Sequence, residues 1–425
     1  MTAPDAGRAI EAVWRIESPR LIAGLARIVG DVGIAEELAQ DALVAALERW
    51  PESGVPRNPG AWLMGTAKHR AIDLIRRRGR LERKQEELGR RTEVEEEAGA
   101  IEPGEEEDGE DFRDDLLRLV FISCHPVLAT EARVALTLRL LGGLSTDEIA
   151  RAFLVRESTV AQRVVRAKRT LAEAHVPFEV PRGPDLASRL GSVLEVIYLV
   201  FNEGYLATAG DDWTRPALCE DALRLGRVLA ELLPGETEVH GLVALMEIQA
   251  SRLRARVGPG GAPVLLRDQD RARWDRLLVR RGLAALERAE TLGNLGPYSL
   301  QAAIAACHAR APTVGETDWV RIAALYDALS QVAPSPVVEL NRAVALSMAF
   351  GPEAGLEVVD QLLGEPSLKD YHLLPGVRGD LLARVGRRGE AAEEFKRAAS
   401  LTRNGPERAM LLERAEACLR EPADA

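Results

Sequence analysis

Residues 87–111 read ELGRRTEVEEEAGAIEPGEEEDGED. A stretch this acidic, with almost no apolar side chains, repels itself and cannot recover the entropy of ordering, so no single core can run through it. It is expected to be a flexible linker between parts that fold on either side of it. A second break, HVPFEVPRGP at 175–184, is rich in Pro and Gly. The expected domains are 1–81, 113–175 beyond an acidic linker at 82–112, and a long C-terminal part subdivided at 176–330 and 331–425. Several domains also suit a chain of 425 residues.

The fold class expected throughout is all-α. Aromatics are only 4% of the chain, Ala, Leu, Arg and Glu dominate, and alternating β-branched runs are scarce. The net charge of −11 argues against a nucleic-acid binder only while it is left undivided. Residues 1–81 carry +2, 82–112 carry −10, 113–175 carry +3 and the remainder −6, so two slightly basic modules flank an acidic strip. Val193 to Phe201, the best apolar run, is interrupted by Glu195 and too short to span a bilayer, and the N-terminus shows no signal-peptide pattern. No membrane association and a cytoplasmic location are expected. Cys124, Cys219, Cys307 and Cys418 lie far apart without a CxxC, and the Cys124-His125 pair cannot close a tetrahedral site alone. No metal and no cofactor are expected.

Three segments carry the functional signal. Asp31 to Trp50 has a helical apolar stripe at Ile34, Leu38, Ala42 and Ala45, and its other face holds Glu36, Glu37, Gln40, Asp41 and Glu48. After the loop PESGVPRNPG, Asn58 is placed to cap a helix that starts at Pro59. Leu63, Ala67, Ala71 and Leu74 face inward there, Trp62, Thr66, His69, Asp73 and Arg76 share another face, and the segment ends in the cluster Arg76-Arg77-Arg78-Gly79-Arg80. The third segment, LSTDEIARAFLVRESTVAQRVVRAKRTL, reads as two helices joined by a turn at Leu154 to Arg156. Ser145 and Glu148 form a capping box at its start. Val160, Val164, Ala167 and Leu171 make the inner stripe of its second helix, opposite Thr159, Gln162, Arg163, Arg166 and Arg169. A helix-turn-helix exposes polar and basic groups in this way when its second helix enters the major groove.

Taken in this order, the segments resemble an extracytoplasmic-function sigma factor of the sigma-70 family over residues 8–175. The resemblance implies that core RNA polymerase and promoter DNA are the partners. It implies that the first helix binds the polymerase clamp helices through Glu37, Gln40, Asp41 and Val44. The NPGAWLMGTAKHRAIDLIRRR segment is similar to the −10 recognition and strand-opening helix. There Trp62 could stack on an expelled base beside Asn58, while Lys68, Arg76 and Arg77 hold phosphates and Asp73 lies on the same helix. Ser158, Thr159, Gln162, Arg163, Arg166 and Arg169 would meet the −35 element, Arg on guanine or phosphate and Gln on adenine.

The C-terminal part, with FNEGY at 201–205 and DWTRPALCEDALRLGRVLAELLP at 212–234, resembles a subfamily carrying a fused helical extension. GDLLARVGRRGEAAEEFKRAASL has tetratricopeptide-like spacing, and a weaker copy lies about 37 residues upstream, from Ala354 to Ala391. An intramolecular or protein partner is expected for it. Gly204 is expected to cap a helix end. No GxSxG, HExxH or Gly-rich phosphate loop is present, and no active site is expected. The competing readings are a helical adaptor with a vestigial DNA-binding half and a conventional helix-turn-helix activator. The first leaves the basic helix end unexplained, and the second leaves the N-terminal module without a role.

Overall fold

The long three- and four-residue apolar spacings fold as helix wherever the computed structural model describes the chain, at residues 3–89 and 109–420. These residues form 18 α-helices in two compact units, Met1–Val196 and Ile197–Ala425.

In the first unit α1 (Ala3–Val29), α2 (Val32–Ser53) and α3 (Pro59–Gly89) pack together around Leu25, Leu63 and Trp50, all fully buried. Asp31 starts α2 by accepting a hydrogen bond from the Ile34 amide at 2.9 Å. Asn58 starts α3 in the same way, accepting from Ala61 at 3.1 Å. Then come α4 (Gly109–Ser123), α5 (Thr130–Leu140), α6 (Thr146–Phe153) and α7 (Glu157–Glu173), around Phe121, Leu136, Leu138 and Ile149. The stretch expected as a linker at 82–112 is helical at both edges, since α3 runs to Gly89 and α4 starts at Gly109. Its middle, 90–108, lies outside the described residues.

The Pro/Gly break at 175–184 does separate two helices, α7 and α8 (Pro184–Tyr205), but the first unit extends past it to Val196. Arg133 on α5 explains this. It donates to Ser192 and, at 3.0 Å, to Glu195, while the Ser192 hydroxyl donates to the Cys124 carbonyl at 2.6 Å. The early turns of α8 therefore complete the domain that holds α6 and α7.

The second unit contains α9 (Pro216–Leu232), α10 (Thr237–Ala250), α11 (Arg276–Leu292), α12 (Pro297–Arg310), α13 (Trp319–Val332), α14 (Pro336–Phe350), α15 (Pro352–Leu362), α16 (Leu373–Arg384), α17 (Arg388–Leu401) and α18 (Gly405–Arg420). Between α10 and α11 the chain makes short 3-10 turns braced by guanidinium–ring contacts, the closest placing Arg256 3.8 Å above the Tyr205 ring. One departure from helix is a two-residue parallel pair, β1 (Ala209–Gly210) with β2 (Arg403–Asn404). The α14–α15 hairpin is followed by α16–α17, whose first helix starts at Leu373, 37 residues after Pro336. Gly204 is not a helix cap. It lies inside α8, and a Cβ there would come within 2.7 Å of the Cys219 amide nitrogen, so the glycine lets α9 approach.

Candidate nucleic-acid and polymerase interface

The helix-turn-helix is built by local chemistry. Ser145 accepts from the Glu148 amide at 3.1 Å while the Glu148 carboxylate accepts from the Ser145 amide at 2.8 Å, which completes the capping box and fixes the start of α6. Leu154 closes α6 in the left-handed conformation, φ 50°, and turns the chain into α7. Val160, Val164, Ala167 and Leu171 are buried, as their spacing implies. The opposite face of α7 presents Ser158, Gln162, Arg166 and Arg169 to solvent, with Thr159 and Arg163 half-buried. Arg169 is exposed but already engaged, its Nε lying 2.7 Å from Glu173 one turn on.

On α3, Leu63, Ala67 and Ala71 are buried. Asn58, Asp73, Arg76 and Arg77 are exposed, and Lys68 is half-buried. Trp62 is half-buried and meets Trp50 edge-to-face, with ring centroids 5.3 Å apart. Trp62 is thus anchored on the fully buried Trp50 while part of it stays accessible to solvent. The Asn58 oxygen accepts the cap hydrogen bond from Ala61, and an amide offers two further donors at Nδ2 for recognition.

On α2 the exposed stripe is Glu37, Asp41, Val44 and Leu47, with Gln40 half-buried beside it. Val44 and Leu47 remain about half exposed, at 51% and 48%, so the stripe combines acid with apolar surface. Asp41 already has a partner across the helix pair, Arg70 at 2.8 Å. Glu36 corrects the sequence reading, for it is buried rather than on the solvated face. Its carboxylate takes Arg139 Nε at 2.7 Å, Gln40 Nε2 at 2.6 Å and the Lys168 ammonium. Burial alone would raise its pKa, but the adjacent Lys168 and Arg139 outweigh that and hold it below the ordinary carboxylate value. Arg139 and Lys168 drew no attention in the sequence. The available signal was that Lys168 follows Val164 by four residues and so flanks the buried stripe.

The Cys124 sulfur lies 3.3 Å from the Thr137 hydroxyl, and burial pushes its thiol pKa up to about 12. No helix among the described residues is long and apolar enough to cross a membrane.

Residues 14–81, which take in the second half of α1, all of α2 and most of α3, match the family described as Sigma-70 region 2. Residues 118–171, which contain the helix-turn-helix, match Sigma-70 region 4. The chain belongs to the extracytoplasmic-function sigma-70 family. Its C-terminal extension matches a family of unknown function over residues 189–290. An uncharacterised protein of Rhizobium meliloti (strain 1021) is 44% identical over 417 residues, 95% of both chains. The probable ECF RNA polymerase sigma factor SigI of Mycobacterium tuberculosis (strain ATCC 25618 / H37Rv) is 25% identical over 171 residues, 40% of this chain and 57% of SigI. Members of sigma factor families are regulators that bind core RNA polymerase and promoter DNA.

Proposed function

We propose that this sigma factor docks on core RNA polymerase through the Glu37, Gln40, Asp41 and Val44 stripe of α2. It reads a −35 element with α7 and opens the −10 element with α3. The observation that carries this reading is the pairing on one chain of a capped helix-turn-helix and a separate three-helix module, one offering basic groups and the other an acidic and apolar stripe. A DNA-only activator has no use for the stripe.

On α7, Arg166 and Gln162 are the base readers by exposure, and Ser158 and Thr159 lie at the N-terminal end that enters the groove first. On α3, Trp62 stacks a flipped base with Asn58 beside it, Lys68, Arg76 and Arg77 hold phosphates, and Asp73 borders that surface. The extension (176–330 and the tetratricopeptide-like 331–425) regulates initiation through an intramolecular or protein contact, and the whole acts in the cytoplasm.

The test is direct binding to purified core polymerase by Glu37→Lys and Val44→Asp chains. Both side chains are exposed, so circular dichroism should match the parent while polymerase affinity falls. Undiminished affinity in both would move the contact off α2.

A further inference from the structure

Glu36 lies on the helix that carries the proposed polymerase stripe, yet its carboxylate is held by the other module. Arg139 comes from α5 and Lys168 from α7, and the Glu36 side chain is only 4% exposed. This is one point of a continuous interface. Arg15 of α1 pairs with Glu148 of the capping box at 2.5 Å, and Arg27 of α1 with Asp115 of α4 at 2.7 Å. The turn between α5 and α6 comes so close to α1 that a Cβ on Gly143 would lie 3.3 Å from the Arg15 backbone.

Two consequences follow from this geometry. First, Gln40, Leu43 and Val44 form one wall of a cleft of about 540 Å³ whose other wall includes Ser145, Glu148 and Arg151. The α5–α6 turn and the start of α6 thus line the same cleft as this part of the stripe, and a partner helix laid there meets Gly143, Ser145 and Glu148. Second, elements centred at −35 and −10 lie 25 base pairs apart, about 85 Å of B-DNA at ~3.4 Å per pair. The path from Ser158 along α7 to Lys168, across to Glu36, along α2 to Trp50 and over to Trp62 sums to about 60 Å at ~1.5 Å per helical residue and roughly 12 Å for each side-chain crossing. In this arrangement the two readers cannot occupy both elements.

We propose that the Glu36–Arg139–Lys168 cluster is a latch that holds the −35-reading domain against the polymerase-binding helix, so that core polymerase takes only the opened chain. This rests on the function proposed above. Breaking an ion cluster by removing one partner leaves a buried charge uncompensated, which is strongly unfavourable in the closed form and harmless once the carboxylate meets water. Polymerase affinity is scaled by the fraction of chain that is open, so a latch variant binds more tightly without any new contact.

The test uses full-length Lys168→Glu, which sets a second carboxylate against Glu36 and leaves the α2 stripe intact. Core polymerase should bind it on the order of tenfold more tightly than the parent, and X-ray scattering should show a larger radius of gyration. Carbodiimide, which couples touching amines and carboxylates, supplies the converse on the unaltered protein. Chains cross-linked between Glu36 and Lys168 should fail to bind polymerase. Unchanged affinity and scattering in a folded Lys168→Glu chain would overturn the latch, as would normal polymerase binding by the cross-linked chain; either leaves the sigma factor reading standing. Absence of polymerase binding by the parent and by Lys168→Glu alike would remove that reading, and the latch with it.

Discussion

Arg163 and Arg166 sit one helical turn apart on α7 but present different amounts of guanidinium to solvent, Arg166 being exposed and Arg163 half-buried. Arg166→Ala should therefore weaken promoter duplex binding by about 1–3 kcal/mol, the range of one bidentate base contact, and Arg163→Ala by less. Fluorescence anisotropy with duplex DNA measures both, and equal small losses would reassign the pair to phosphates. Glu36 ties the modules to pH. Burial raises its pKa, but facing Lys168 and Arg139 depresses it overall, and it returns toward about 4.5 once the contact opens. The closed form is then favoured while pH stays above the open-state value and loses that advantage as pH falls through the closed-state value. Scattering followed from pH 7 to below 4.5 should show expansion beginning only under about 4.5. Glu36→Gln should reduce that dependence, leaving the part due to Glu148, whose pKa is also lowered, with Arg15 among the causes. The burial of Glu36 was not legible because the periodicity of one helix reports one apolar face. Ala35, Ala39, Ala42 and Ala46, all fully buried, are small enough to let neighbours approach α2 from a second side.

At the scale of elements, the helix-turn-helix was the most readable part, since its signals are local. The capping box, the buried stripe of α7 and the turn at Leu154 each depend on residues within one or two helical turns. Ser145→Ala removes the cap and should destabilise the first unit by about 0.5–2 kcal/mol in urea unfolding. Leu154→Gly should act oppositely. Leu154 holds a left-handed backbone at φ 50° and is 54% exposed, so relief of a cost of roughly 1 kcal/mol outweighs the little packing lost. A destabilised Leu154→Gly chain would show that the leucine side chain matters more than the turn. Features set by distant neighbours escaped the sequence. The role of Gly204 is fixed by Cys219 on another helix, and the β1–β2 pair joins residues almost two hundred positions apart. The helical hairpin spacing near the C-terminus was visible because its period repeats along the chain.

For the molecule as a whole, the charge partition pointed to two DNA-facing modules, but composition could not place the boundary of the first unit. Pro and Gly mark where a helix stops, whereas the grip of Arg133 on Ser192 and Glu195 decides which side of the break a helix belongs to. A deletion that tests the extension should therefore end at Val196, not at the Pro/Gly break, so that the Ser192 bond to Cys124 survives. If the extension regulates initiation, this deletion should change transcript yield by about fivefold or more, the lower range of a coupling between sites; equal yield would sink the regulatory role. The central claim is that the chain programs core polymerase. Run-off transcription on fragmented genomic DNA of the source organism, with purified core polymerase, tests it most directly. The full-length chain should produce discrete transcripts that core polymerase alone does not, and Arg166→Ala should lower their yield. A folded chain that adds no transcript to the core-only pattern would contradict the account.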